Sequence, residues 1–564
     1  MKTAIKIVFL LLTSLCFFTQ TFSDDPNPIT GTWKGKFMDQ FDLEMILEVN
    51  EGNQFSGRLV MYDGNQQIQN DQLSDIKIAG PQLFFTIPAK NTDFEGTWDM
   101  ENNRIEGYFI FPDLSKHPLK LVKFKVSSDQ DREISVNDLE LLHRQFSYEQ
   151  LKEDLNYLKN NLESTHPQLY RFTDKSELNK LFMKSNELLN VGLNTLEFYQ
   201  LIAPIVEKVK CSHTGIRFSD QYQTTLEESG NYLPLEIRFI GEQSFCISSF
   251  PKENNILQGS EILSINGKEI SEIREIIFSW IPADGHNVSS KYFEINRNFN
   301  SYFRLLDNST QFDITYKPAD YGNLSHFQIN AVSSQQIENF KDNKNGMEQK
   351  SESLSYSNME ELSLGMLRIP TFGISDIDGY LTQLDQIFSE VNQRKFKNLV
   401  LDVRGNRGGH PIFAAILLSY LAEDSFVYFE NKNRADEFEP LYREMSPNEK
   451  AFSGNCYVLV DGGVLSTTGH LVSLLKYHNL VKFVGEEPGS SFYCNDMSTQ
   501  IRLPHTGIIA NIPQMIFMTD VSGFKYGEKF NVDFPIAMDL PDLVSGKDTQ
   551  LEFILRRIKE ENQL

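Results

Sequence analysis

The chain has 564 residues, 40% of them hydrophobic and 23% charged, with a formal net charge of −24. That length exceeds one ordinary domain and predicts three or four units. The acidic balance argues against nucleic acid or an anionic membrane as partner, because phosphate binding needs clustered cations.

Residues 1–23 read as a secretory signal. "MKTAIK" gives a basic start, "IVFLLLTSLCFF" an apolar core too short to span a bilayer comfortably, and "TQTFSDD" a polar exit. The chain is therefore expected to be exported, to a periplasm, the medium or the cell surface. No membrane span is expected elsewhere. Leu15 before Cys16 argues against a lipid-attached cysteine. Beyond this leader, Cys211, Cys246, Cys456 and Cys494 are widely spaced without a CxxC pair, which argues against a zinc site or a disulfide framework. A single incidental disulfide stays open.

Residues 28–126 carry short strand patterns at regular spacing: "TGTWKGKF", "LEMILEV", "QFSGRLVMYDG", "LFFTI", "FEGTWDM", "RIEGYFIF" and "LKLVKFKV". "YDG" and "MENN" supply turn chemistry. This predicts an accessory antiparallel β-barrel or sandwich. The repeated Gly-Thr-Trp, at Trp33 and Trp98, is better read as core aromatics than as a ligand site. "SSDQDREISVND" (127–138) is a polar linker.

Residues 147–222 form a helical segment. Leu151, Leu155, Leu158 and Leu162 make one stripe, ended at His166-Pro167, and "NTLEFYQLIAPIVEKVK" is a second amphipathic helix leading into "CSHTG". Residues 232–318 contain Gly259 to Gly267, "GSEILSING", a run that resembles the PDZ signature. A plain hairpin turning at Asn266-Gly267 would look similar. Residues 319–361 are polar, with an exposed loop around "QQIENFKDNKNGMEQKSESLSYSN".

From residue 362 to 550 strands and helices alternate: "LSLGMLRIPTF", "IDGYLTQLDQIFSEV", "NLVLDV", "HPIFAAILLSYLA", "CYVLVD", the helix after Ser466 and "LVKFVG". This predicts a mostly parallel sheet covered by helices. Ligands on such sheets sit at the carboxyl ends of strands. Two loops lie there, "RGNRGG" and "DGGVLS".

Ser466 follows a strand and a glycine turn and precedes a helix. A serine nucleophile there gains an exposed Oγ, a favourable helix dipole and the Thr467 N–H aimed at an oxyanion. An ordinary N-cap serine has the same local sequence. The glycine pair Gly408-Gly409 at the neighbouring strand end would let backbone approach a ligand and supply a second donor.

Together "NLVLDVRGNRGGH" and "YVLVDGGVLSTTGH" resemble the two signature segments of the C-terminal-processing (tail-specific) serine proteases and their tricorn core relatives. The resemblance covers roughly residues 147–550, in the order helical segment, PDZ-like domain, α/β catalytic domain of ClpP–crotonase type. It implies Ser466 as nucleophile. One branch of the family uses a lysine in a "GKG"-like segment about two dozen residues later; no lysine lies between Lys482 and Lys525 here. The tricorn-like branch uses a serine-preceded histidine and a distant glutamate. The resemblance then implies His213 as general base, Ser212 as its orienting partner and Glu528 as the carboxylate, acting through Ser212 or a water network. The oxyanion hole falls to Thr467 N–H and a backbone N–H of Gly408 or Gly409. A neutral imidazole suits the base role at neutral pH. His470, four residues after Ser466, is the rival base, where family members usually carry glutamate. His410 is read as structural.

The expectation is an exported serine endopeptidase acting on extended or unfolded polypeptide, without metal, nucleotide or other cofactor. The PDZ-like domain would capture a C-terminus or gate the site, and self-association stays open. Two alternatives are a non-catalytic ligand- or peptide-binding protein on the same fold, and crotonase-like acyl chemistry. The leader argues against the second.

Overall fold

A computed structural model describes residues 29–37, 41–49, 55–63, 66–99, 104–112, 115–124, 136–190, 192–250, 256–320, 322–337, 354–374, 376–432 and 435–562. The expected leader, the turns at 64–65 and 100–103 and most of the linker and of the loop after 337 lie outside these residues. The chain divides into two compact units, Met1–Arg132 and Glu133–Leu564.

The first unit is a closed antiparallel barrel of eight strands, each paired with its sequence neighbour and the last with the first. Alternation sends Trp33, Leu43, Met45, Leu59, Phe85, Phe94 and Phe109 inward. Their rings fill the interior: Phe85 stacks on Phe94 at 4.7 Å, and Phe94 meets Phe109 edge-on at 5.6 Å. Trp33 Nε1 donates to Ile29 O at 2.9 Å. Seven strands match the expected ones. The eighth, Gln66–Ala79, escapes notice because it is mostly polar, and from Gln69 to Ala79 only Leu73 is buried.

In the second unit the helical segment and the expected PDZ-like region share one core, running from Phe146 to Ile329 and taking in Leu503, Ile508, Ala510 and Ile512. Helix Tyr148–Thr165 starts with a Ser147–Gln150 capping box, and all four stripe leucines are buried. The strand Glu261–Ile265 turns through Asn266 (φ 50°) and Gly267 (φ 74°) into Lys268–Glu269. Both turn residues have the positive φ that a two-residue hairpin requires. The sheet here extends past residue 318, because Ser325–Asn330 pairs with Gln311–Lys317.

The α/β layer holds six strands: β1 (Ser355–Met359), β2 (Leu364–Arg368), β3 (Asn398–Asp402), β4 (Asn455–Val460), β5 (Lys482–Gly485) and β6 (Phe534–Pro535), in that spatial order. All neighbours are parallel except β1 and β2. Helices α1 (Ile377–Gln393), α2 (Pro411–Ser419) and α3 (Thr467–Tyr477) connect β2 to β5, and α4 (Thr549–Glu561) follows β6. Leu399, Leu401, Val458 and Val460 face the core shared with α1–α3, while Val400, Tyr457 and Leu459 face α4. Cover on both faces explains why β3 and β4 read as unbroken apolar runs. The layer begins with β1, before residue 362, and ends with α4, beyond 550. All four described cysteines are buried and none is in a disulfide.

Candidate active site

Adjacent parallel strands β3 and β4 end side by side, and their loops are tied together by two buried side chains. Asn406 Oδ1 accepts from Gly408 N at 2.9 Å and from Thr468 Oγ1 at 2.7 Å, while its Nδ2 donates to Ile369 O at 3.0 Å. Asp461 Oδ1 accepts the N–H groups of Gly405 and Gly463 at 2.8 and 2.9 Å. Burial raises the Asp461 carboxyl to about 6, against those bonds.

Ser466 stands at the start of α3 with φ 51° and ψ −126°, and its side chain does not cap the helix. A positive φ at a non-glycine residue costs on the order of 1–3 kcal/mol and persists only where its surroundings fix it. An ordinary N-cap serine has extended backbone and a hydroxyl bonded to the helix; Ser466 has neither. The Thr467 N–H, at the first helical position, has no acceptor within the helix. Gly408 (φ 102°) packs directly on this turn: a Cβ there would lie 2.9 Å from Ser466 Cβ and 3.0 Å from Thr467 N.

The expected pairing of Gly408 with an oxyanion needs correction. Its N–H is already donated to Asn406, so Gly408 supplies close approach rather than a donor. The Gly409 N–H has no acceptor among the described residues. Gly409 O is held by Thr467 Oγ1, and His410 N donates to Phe372 O at 3.0 Å. His410 caps α2 through Nδ1 and Ile412 N, a structural role.

The "CSHTG" turn leads into strand Gly215–Arg217, which pairs with Ile509–Ile512 in a three-stranded sheet separate from the α/β layer. Ser212 N donates to Asp284 Oδ1 at 2.8 Å, and Asn511 Nδ2 donates to His213 O at 2.9 Å. Ser212 Oγ lies 3.2 Å from His213 Nδ1. That leaves Nε2 as the outward nitrogen, 3.7 Å from Asp496 Oδ2. Asp496 and Cys494 share one face of strand Tyr493–Asp496 by the two-residue period. Cys494, His213 and Asp496 offer side-chain atoms all within 4.8 Å of one another. The Cys494 thiol also contacts the Ser466 hydroxyl, and burial, with the Asp496 and Asp284 charges, keeps it protonated. Among the described residues no direct hydrogen bond joins Ser466 Oγ to His213; the thiol of Cys494 touches the hydroxyl and lies near the imidazole.

Asp284, Cys494, Asp496 and Asn406 were not singled out in the sequence. Asp284 sits in "IPADGHN", an ordinary turn pattern, and Cys494 and Asp496 in a short strand; only their spatial neighbours mark them. Glu528, by contrast, lies exposed in the 525–530 turn, and no hydrogen bond links it to Ser212 or His213. The carboxylate that bonds Ser212 is Asp284, which is half-buried and whose carboxyl is raised by desolvation. Asp284 and Glu528 do border the same cavity of about 300 Å³, with Glu487, Ser490 and Tyr493.

His470 lies on the inner side of α3, 2% exposed, its ring edge-on to Phe429 at 5.3 Å and to Tyr428 at 6.3 Å. Neither ring nitrogen has a partner among the described residues. Burial, with a smaller contribution from the His213 charge, lowers it to about 3, so it stays neutral at working pH.

Residues 363–520 match the model of peptidase family S41. The chain carries a peptidase family S41 domain, and with it the chemistry class of a serine-type peptidase. The matched segment spans β2 to β5, both strand-end loops, Ser466 and Cys494. No curated protein matches the chain in sequence. Among solved structures it is similar to mature CPAF, with TM-score 0.54 and 12% identity over 73% of this chain and 97% of that one. The structure of mature CPAF complexed with lactacystin gives TM-score 0.55 and 12% identity over 74% and 98%. At that identity the likeness establishes the fold. A putative peptidase from Parabacteroides merdae is also similar, at TM-score 0.40 and 15% identity over 73% and 97%.

Proposed function

We propose that this S41 peptidase is an exported serine endopeptidase that cleaves extended or unfolded polypeptides through an acyl-enzyme at Ser466. The observation that carries the reading is the Ser466 backbone, held at φ 51° and ψ −126° on Gly408 with its hydroxyl uncommitted to capping. In the proposed cycle the Ser466 oxygen attacks the scissile carbonyl and its proton passes to His213 Nε2. The tetrahedral oxyanion is received by the N–H groups of Thr467 and Gly409. His213 then protonates the leaving amine, and water releases the acyl group by the reverse route.

Ser212 orients the ring through Nδ1, and Asp284 holds Ser212. Asp496 Oδ2 lies 3.7 Å from Nε2 and faces the ring through the two proton transfers. Proton transfer needs Ser466 Oγ and His213 Nε2 to meet. In this reading the short advance comes with substrate, when the Cys494 thiol swings aside, since catalytic hydrogen bonds often tighten only in the complex. Glu528 remains a cavity-wall carboxylate in this scheme. The catalytic layer is read as ClpP–crotonase type and the sheet with the Asn266-Gly267 turn as PDZ-like, offering an edge to a peptide.

The test is hydrolysis of a denatured protein, together with labelling by a fluorophosphonate probe. Wild type should hydrolyse and label; Ser466→Ala should do neither, and His213→Ala should lose both. Equal hydrolysis by wild type and Ser466→Ala overturns the assignment.

A further inference from the structure

The proposed cycle uses His213 and Asp496 but gives no chemical role to the thiol beside them. A buried cysteine beside a histidine and a carboxylate is a donor set for a borderline-soft dication. Zinc takes imidazole, thiolate and carboxylate at roughly 2.0–2.3 Å in a tetrahedron, which puts the ligand atoms about 3.3–3.8 Å apart. His213 Nε2 and Asp496 Oδ2 already stand at 3.7 Å, and all three donor atoms lie within 4.8 Å of one another. Side-chain rotation covers the difference. The supports are also those of a metal site. His213 Nδ1 is bonded to Ser212 Oγ, which leaves Nε2 as the free donor. Cys494 and Asp496 are fixed at i and i+2 on a strand paired with Met515–Met518. The Ser466 hydroxyl is in contact with Cys494, one of the three donors.

We propose that His213, Cys494 and Asp496 form an inhibitory binding site for a thiophilic divalent cation of the zinc class. On binding, the Cys494 thiol releases its proton to solvent and the thiolate and Asp496 carboxylate offset the charge of the dication. No electron is transferred. His213 Nε2 gives its lone pair to the metal and cannot accept the Ser466 proton, so hydrolysis stops until the metal is removed. Inhibition rests on the proposed role of His213; binding does not.

The full-length Ser466→Ala protein separates the two. Titrated with Co²⁺, it should develop a thiolate-to-cobalt charge-transfer band at one metal per chain, displaced by Zn²⁺. Adding Cys494→Ala should abolish the band and weaken Zn²⁺ binding at least 10-fold by calorimetry. Asp496→Asn, at the more exposed end of the strand, should weaken it less and serves if Cys494→Ala fails to fold. In wild type, Zn²⁺ should stop hydrolysis of a denatured protein and a chelator restore it. No cobalt–sulfur band, or Zn²⁺ affinity unchanged in both variants, overturns the site. Full hydrolysis by zinc-saturated enzyme overturns inhibition. If wild type hydrolyses nothing even without metal, the peptidase reading fails while the cobalt band still decides the site.

Discussion

The barrel and the peptidase unit bury different things. The described barrel buries aromatic and aliphatic side chains, and Thr92 is its one buried polar residue. The peptidase unit buries Asn406, His470, Ser466, Thr468, Asn495 and many other polar groups. It also holds a serine in the positive-φ region at a strand end. Burying a polar group without a matched partner costs free energy, so such groups persist where they build something. The contrast separates a scaffold held by transfer of apolar surface from a site held by specific bonds and stored strain. Each of the following variants tests one side of it.

The largest effect is expected at Ser466. Ser466→Ala should reduce hydrolysis of a denatured protein by about 10⁴-fold or more while leaving unfolding of both units unchanged. A loss below about 10-fold would mean that the strained turn serves structure alone. In the barrel, Trp33→Ala should destabilise by about 3–5 kcal/mol, read as a lower midpoint of the barrel's own transition in urea. Retained hydrolysis in that variant sharpens the contrast, and a catalytic loss as large as that of Ser466→Ala would erase it.

Gly408→Ala forces a Cβ to 2.9 Å from Ser466 Cβ at φ 102°. We expect kcat to fall about 10²-fold, with a stability cost of roughly 1–3 kcal/mol. A fall in stability with unchanged kcat would detach Gly408 from the site. Asp284→Asn keeps the shape but alters the acceptor that holds Ser212. The expected loss is about 10-fold in kcat with KM little changed, and Asp284→Glu should not restore it, because one more methylene moves the carboxylate off its 2.8 Å contact with Ser212 N.

The smallest effect concerns His470. Its folded-state value near 3 lies below the ordinary 6.5 because burial disfavours the cation. Between those values the unfolded chain binds a proton that the folded chain does not. Acidification therefore favours unfolding, by at most about 1.4 kcal/mol per pH unit. His470→Phe should keep hydrolysis at neutral pH and flatten the fall in stability from pH 6.5 to 5, measured by urea titration. Loss of hydrolysis in His470→Phe would return His470 to contention as the base.

Much of the scaffold was legible because its signals are local. Leu151, Leu155, Leu158 and Leu162 repeat with helical period, and each is buried on one helix face. Asn266-Gly267 carries the positive φ that its hairpin needs. The runs "NLVLDV" and "CYVLVD" are apolar throughout because helices cover both faces of their strands. The strand Gln66–Ala79 was missed for the opposite reason, since polar residues dominate a strand with little buried surface.

The site was legible only where one segment carries it. Ser466, Thr467 and the glycines are written in two short runs, because a sharp turn at a strand end demands particular residues in sequence. The partners of Ser212 and His213 depend on where distant segments come to rest. Asn511 reaches the turn because Gly215–Arg217 joins the strand Ile509–Ile512, and Asp284 reaches it where Gly285 N donates to Lys210 O. Cys494 and Asp496 face His213 through strand alternation, while Glu528 turns to solvent in a loop. The sequence by itself determined seven of the barrel's eight strands, the main helices, the parallel layer and the place of the serine turn, since these follow from periodicity and backbone preference between near neighbours. Only the tertiary structure decided which carboxylate meets Ser212 and that a thiol stands beside both serine and histidine. Contacts across hundreds of residues are set by core packing, which leaves no local spacing to read.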